Sequence, residues 1–153
     1  MTKEKRIRVV LGADHAGYAL KESLKSLLAG MGVEIEDFGT HSAESTDYQD
    51  IATVAAKAVA EGRADRGVLI CSTGIGMSIV ANKVPGVRAA LCHTRLDAQL
   101  SRRHNDANVL TLAGSTITPS VAADIVKTFL DTGFESGGRH ERRVQKIHQL
   151  TGM

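Results

Sequence analysis

Val68-Leu69-Ile70 is apolar at three consecutive positions and is followed at once by Cys71, Ser72, Thr73 and Gly74. A strand with one wet face alternates polar and apolar residues, whereas a strand covered on both faces does not. This run therefore reads as an interior strand of a parallel sheet. Parallel neighbours need a crossover, normally a helix, and the rest of the chain supplies that alternation. Strands are predicted over residues 7–11, 33–38, 67–71, 87–92 and 109–112. From Gly17, Leu20, Leu24, Leu27, Leu28 and Met31 recur at helical spacing until Gly30 and Gly32 intervene. Ile51, Val54, Ala55, Ala58 and Val59 mark a second helix behind Asp47, an expected N-cap with Asp50 three residues on. Further helices are expected over residues 77–82 and 95–103. Another starts at Thr118, a cap with Pro119 at the first helical position, and runs to about residue 130. Five strands alternating with helices give an α/β doubly wound parallel sheet in one domain, residues 1–153. Past Gly137-Gly138 a helix over residues 139–150 carries only Val144 and Ile147 as an apolar stripe. Such a helix is weak alone, so residues 137–153 are expected to be an arm packing on a neighbouring subunit.

The 153 residues are 42% hydrophobic and 24% charged, the composition of an ordinary globular domain. A net charge of +2 is too small to imply nucleic acid, and 3% aromatic residues offer no stacking platform for single strands. No segment has the length of a membrane span, and the opening Met-Thr-Lys-Glu-Lys-Arg lacks the apolar core of a secretory leader. The expectation is a cytoplasmic protein with no membrane partner. Cys71 and Cys92 close separate apolar runs, too few thiols for a disulfide framework and at a spacing that matches no zinc pattern. Both are expected to be reduced, and no metal or cofactor is expected.

Four stretches can carry chemistry. In the first, Cys71 and Thr73 stand at a strand end before Gly74-Ile75-Gly76, where a following helix N-terminus favours an anion such as a thiolate. The third glycine of a dinucleotide fingerprint is missing, Ile79 standing there, and the Gly-Lys-Ser/Thr of a P-loop is absent. Met77 occupies the place of a phosphatase arginine. The ordinary alternative is a buried thiol acting as a small hydrophobe; Thr73 and the glycines argue against it. In the second stretch, Asp14-His15 ends the first strand at the same sheet edge. It suits sugar hydroxyls and an anion, or else an N-cap with a solvent-facing imidazole. The third, Ser101-Arg102-Arg103-His104-Asn105-Asp106, reads by itself as a cationic helix C-terminus. In the fourth, Arg139 and Arg143 lie one helical turn apart, fit for a two-armed grip on phosphate, although a basic run is ordinarily just solvated.

Together these stretches resemble the ribose-5-phosphate isomerase B family, which includes galactose-6-phosphate isomerase subunits. The matching residues are Asp14-His15, Thr46-Asp47-Tyr48, Cys71 to Gly76, Ala81-Asn82-Lys83, His104 to Asn108 and Gly137-Gly138-Arg139-His140. The resemblance implies a Rossmann-like fold and a metal-free aldose–ketose isomerase working through an enediolate. It further implies a homodimer or tetramer with active sites shared between subunits, acting on a small phosphorylated sugar. It makes Cys71 the base and Thr73 an aid to proton transfer. The backbone N–H groups of Gly74, Ile75, Gly76, Met77 and Ser78 become an oxyanion hole, with Ser72 beside them. Asp14 and Tyr48 hold sugar hydroxyls. His104 from the partner opens the furanose with Asn105 beside it, and His15, Arg139 and Arg143 hold the phosphate.

Ser115 stands where many members of that family have an arginine that would reach the phosphate, and Ser72 where many have glycine. The rival substrates are therefore tetrose 4-phosphates and hexose 6-phosphates such as allose or galactose 6-phosphate. A non-catalytic sugar-phosphate sensor would not need the thiol, and a thiol redox protein would need a Cys-x-x-Cys pair that is absent.

Overall fold

The structure, a computed structural model, describes residues 5–153. Residues 1–4, part of the opening segment read above for a leader, lie outside the described residues. The elements run β1 (Arg8–Ala13), α1 (Tyr18–Gly30), β2 (Glu34–Asp37), α2 (Tyr48–Ala60), β3 (Arg66–Cys71), α3 (Ile75–Ala81), β4 (Ala89–Leu91), α4 (Arg95–Asn105), β5 (Val109–Ala113), α5 (Pro119–Asp131) and α6 (Arg139–Thr151). All strand pairs are parallel, in the order β2-β1-β3-β5-β4.

The consecutive apolar runs are explained by two layers of helix. Val9, Leu11, Val68, Ile70, Leu110 and Leu112 face α1, α4 and α5, meeting Leu24, Leu28, Ile125 and Phe129. Val10, Leu69, Cys71 and Val109 face the other way, onto Ala52, Ala55 and Ala56 of α2 and Met77 and Ala81 of α3. Alternate residues of one strand thus enter opposite layers, which is why the sequence shows no polar alternation. The chain leaves β1 for the β2 edge and returns through β3 toward the other edge. The carboxyl ends of β1 and β3 therefore form a switch point, the place where ligands bind in open parallel sheets.

Several boundaries differ from expectation for identifiable reasons. α3 starts two residues early, at Ile75, because Gly74 takes a left-handed conformation (φ +74°) that turns the chain straight from β3 into the helix. Asp47 occupies the N-cap position of α2 but makes no side-chain capping bond. Thr118 caps α5 as expected, accepting from the Val121 N–H at 3.2 Å, with Pro119 beginning the helix. Thr94 and Asp97 form a capping box on α4 that was not anticipated.

α6 lies against α4 of its own chain and buries only Val144. Arg88 pins it by donating to His148 Nε2 at 2.7 Å, and the Gly86 N–H donates to the Met153 carbonyl at 3.0 Å. Ile147 and Leu150 remain exposed. No helix among the described residues is long and apolar enough to cross a membrane.

Candidate active site

Asp14 follows β1 directly, and its buried carboxylate organises the turn into α1. Its Oδ1 accepts from the N–H groups of Ala16 (3.0 Å) and Gly17 (3.1 Å), leaving Oδ2 for a ligand. This is a loop-closing role and not a helix cap, since Gly17 is the N-cap residue of α1. Its own N–H donates to the Ile70 carbonyl at 3.1 Å, locking the β1 end to the β3 end. Beside it, His15 Nδ1 accepts from the Thr46 N–H at 3.2 Å. A neutral imidazole accepting at Nδ1 carries its proton on Nε2, so His15 presents a donor outward.

Cys71 ends β3 in the layer beneath α2 and α3, and the Gly74 N–H donates to its Sγ at 3.2 Å. The left-handed turn at Gly74 is what aims that N–H back at the sulfur. Thr73 Oγ1 accepts from the Ile75 N–H at 3.2 Å. Ser78 N–H closes on the Gly74 carbonyl at 3.1 Å. The anticipated set of amides is thereby narrowed: Gly74, Ile75 and Ser78 are engaged, and of the other two only Gly76 lines the cleft, Met77 being fully buried. The Met77 side chain packs in the core with Cys71 and Ala81.

Gly76 is required by Tyr48. A Cβ there would lie 2.6 Å from the Tyr48 ring, so the missing side chain lets the phenol lie over the loop. Asp14, Tyr48, Cys71, Ser72, Thr73, Ile75 and Gly76 line one open cleft of about 380 Å³. Ile79, which the sequence reading missed, joins them one helical turn after Ile75. Both are large apolar residues left exposed on α3, the signal that could have found them. At the mouth, Ser72 Oγ and Ser115 Oγ are hydrogen-bonded at 3.0 Å, and the Ser115 N–H donates to the Ser72 carbonyl at 3.1 Å. The two positions that depart from the family pattern thus touch one another.

The remaining expected site residues are elsewhere. His104 and Asn105 end α4, while Arg139 and Arg143 project, exposed, from the first turns of α6. None of the four lines the Cys71 cleft. Asn105 instead borders a cavity of about 440 Å³ shared with Arg88, Ala90, Ile147 and Met153. The sequence reading thus resolves into two constellations, one around the thiol and one basic.

A largely buried ion network stands at the end of β2, where the loop leading to α2 begins. Lys21, fully buried, reaches Asp37 Oδ2 at 2.6 Å, and Lys25 reaches the same oxygen at 2.5 Å. Burial by itself would raise the Asp37 pKa, but these two ammonium groups and the Gly39 N–H hold it down at about 2. The other thiol has no such environment. Cys92 is pushed up to about 11 by burial.

A thiol under amide donors at the switch point of a parallel sheet, with a carboxylate, a phenol and hydroxyls around one cleft, defines an α/β enzyme acting on a small polar molecule. Residues 9–147 match the family model described as Ribose/Galactose Isomerase. Ribose-5-phosphate isomerase B of Escherichia coli (strain K12) is 46% identical over 140 residues, 92% of this chain and 93% of that protein. D-erythrulose-4-phosphate isomerase of Pectobacterium atrosepticum is 40% identical over 142 residues, again covering 92% and 93%. A solved structure of Clostridium thermocellum ribose-5-phosphate isomerase B superposes with a TM-score of 0.93 at 47% identity, covering 95% of this chain and 98% of that one. The chain belongs to the ribose/galactose isomerase family and is an aldose–ketose isomerase.

Proposed function

We propose that the chain interconverts ribose 5-phosphate and ribulose 5-phosphate through an enediolate, with Cys71 as the base. The observation that carries this is the cleft itself, where a buried sulfur accepts from the Gly74 N–H at 3.2 Å and Gly76 lines the wall beside it. In the forward direction the Cys71 thiolate takes the proton from C2 of the open-chain aldose and returns it to C1. The O2 proton passes to O1, with Thr73 Oγ1 assisting. The negative charge that develops on oxygen in between is met by the Gly76 N–H group, a donor fixed before the reaction begins. Asp14 Oδ2 accepts from sugar hydroxyls, and Tyr48 encloses them. His15 donates from Nε2 to the phosphate.

The two constellations join when a second copy brings His104, Asn105, Arg139 and Arg143 over the cleft, in a homodimer or a tetramer built from such dimers. The exposure of both arginines and their absence from the cleft of their own chain support this arrangement. His104 then opens the furanose with Asn105 beside it, and the arginines grip the phosphate bidentately. The cytoplasm is the matching location, since both cysteines are free thiols.

Mixing Cys71→Ala and His104→Ala proteins tests the shared site. Each alone is expected to be inactive, and a mixed dimer to regain up to about half of wild-type activity, since one of its two sites pairs an intact Cys71 with an intact His104. No recovery in proven mixed dimers would refute the arrangement.

A second reading, a tetrose 4-phosphate as preferred substrate, is favoured by the Pectobacterium relative and by Ser115 in place of a phosphate-reaching arginine. One charge-assisted bond of that kind is worth roughly 1.5–3 kcal/mol. Comparing kcat/KM for four-, five- and six-carbon aldose phosphates decides between the readings.

A further inference from the structure

His140 is the second residue of α6, and its imidazole stacks on that of His104 in the last turn of α4, with ring centroids 4.1 Å apart and planes inclined by 9°. The stack is braced by Glu135, in the link between α5 and α6. Glu135 Oε1 is held by Arg103, whose Nε donates at 2.7 Å, and the Glu135 N–H donates to the Arg103 carbonyl at 3.0 Å. Glu135 Oε2 lies 3.6 Å from His140 Nε2. Backbone and side chain of Glu135 are therefore both tied to the residue that precedes His104.

We propose that His140, steadied by Glu135, is a positioning residue for His104, fixing the plane in which that imidazole meets the ring oxygen of a cyclic sugar phosphate. This rests on the reading of His104 as the group that opens the furanose. The outer torsion of a histidine is broad and roughly two-fold, so an unsupported ring at a helix end samples many planes. Proton delivery requires one of them, and a misplacement of about 1 Å can cost about 10²-fold. A parallel neighbour over the face of the ring removes that freedom without occupying either nitrogen.

The charges around the pair agree. His140 is held below the ordinary histidine value, first by desolvation and then by His104, Arg139 and Arg143, against the opposing pull of Glu135. Burial and the neighbouring cationic groups thus disfavour a charge on His140 within the stack. The same three side chains bring ligand atoms within 4.8 Å of one another, as a metal site would. Yet Glu135 is committed to Arg103, near-parallel rings point their lone pairs side by side instead of at one point, and Arg103, Arg139 and Arg143 repel a divalent cation.

The test uses sugars that differ only in whether a ring must open. Ribose 5-phosphate closes a furanose through O4, whereas ribulose 5-phosphate, with O5 phosphorylated, and erythrose 4-phosphate, with O4 phosphorylated, cannot. His140→Ala is expected to lower kcat on ribose 5-phosphate about tenfold with KM within about twofold. It should leave within about twofold both the exchange of the ribulose 5-phosphate C1 hydrogen into deuterated water and the turnover of erythrose 4-phosphate. His140→Phe, which stacks but has no ring nitrogen, should restore ribose 5-phosphate turnover to within about threefold. Equal losses on all three sugars would reveal a merely structural role through α6, which also carries Arg139 and Arg143. No loss on ribose 5-phosphate, or no rescue by Phe, would equally overturn the proposal. His104→Ala in the same assays separates the two ideas: without a selective loss on ribose 5-phosphate, the ring-opening reading itself falls.

Discussion

Cys71 and Cys92 occupy formally similar places, each at or just past the carboxyl end of a parallel strand and each buried, yet their surroundings are opposite. Cys71 ends the interior strand β3, and the left-handed Gly74 returns an N–H to its sulfur at 3.2 Å. Cys92 follows the edge strand β4, where its Sγ donates weakly to the Ala90 carbonyl at 3.7 Å and burial holds the proton on, with a pKa of about 11. Around Cys92 are Ala98, Leu112 and other members of the α1/α4/α5 layer. Reactivity therefore follows from what comes next in the chain. A glycine turn into a helix gives a strand-end thiol an amide donor, which suits the proposed base, and a polar linker into a capped helix leaves the other a packing residue.

The largest effect that can break this comparison is on turnover. Cys71→Ala should lower kcat by about 10³-fold, within the range that general bases contribute. Binding of a sugar phosphate should survive within about threefold, because hydroxyl and phosphate contacts are made by other residues. Cys92→Ala should stay within about twofold of wild type. Steady-state rates and calorimetric titration read both, and comparable losses in the two variants would remove the distinction. Gly74→Ala is the next test, because it keeps the thiol and removes its surroundings. A Cβ at this left-handed position (φ +74°) would lie 2.5 Å from Leu91 Cδ1 and 2.9 Å from the Leu112 carbonyl carbon. The turn must shift and the N–H must leave the sulfur. We expect about a 10²-fold fall in kcat with roughly 2–3 kcal/mol lost in denaturant melts. A variant destabilised by that much but fully active would show that the thiol needs no amide.

The same comparison marks what the sequence made legible. The sheet was readable because consecutive apolar residues such as Val68-Leu69-Ile70 have one simple explanation, helices on both faces. The strand order was not, since nothing in β4 or β5 says that β4 passes beyond β5 to the edge. Cys71, Thr73 and Asp14 were legible as one cleft because strand-end residues of a parallel sheet share an edge, whereas Tyr48, at the start of α2, came only from the family resemblance. Two features were hidden for physical reasons. Which amides remain open depends on hydrogen bonds made by Gly74, Ile75 and Ser78, a backbone property carried by no side chain. The His104–His140 stack joins two helices that only the packed fold brings together. His15 was legible as a candidate anion ligand, but its outward-facing nitrogen was not, because the Thr46 N–H that bonds Nδ1 comes from a loop with no periodic signal.

The smallest effect on turnover is expected where the proton on Cys92 is the variable. A thiol whose folded pKa is raised stabilises the fold at any pH below its unfolded value, because both states are then protonated. As pH climbs above that unfolded value, near 9, the unfolded chain loses the proton while the folded chain keeps it, and stability declines until the folded value of about 11 is passed. The full loss is about 3 kcal/mol, a shift of about two units at 1.36 kcal/mol each. Circular dichroism melts between pH 8 and 11 should therefore show a decline in the wild type that is shallower in Cys92→Ala, while the two proteins turn over substrate alike at neutral pH. Parallel declines would mean that the Cys92 thiol ionises as readily folded as unfolded. Burial could then not be what separates Cys92 from Cys71.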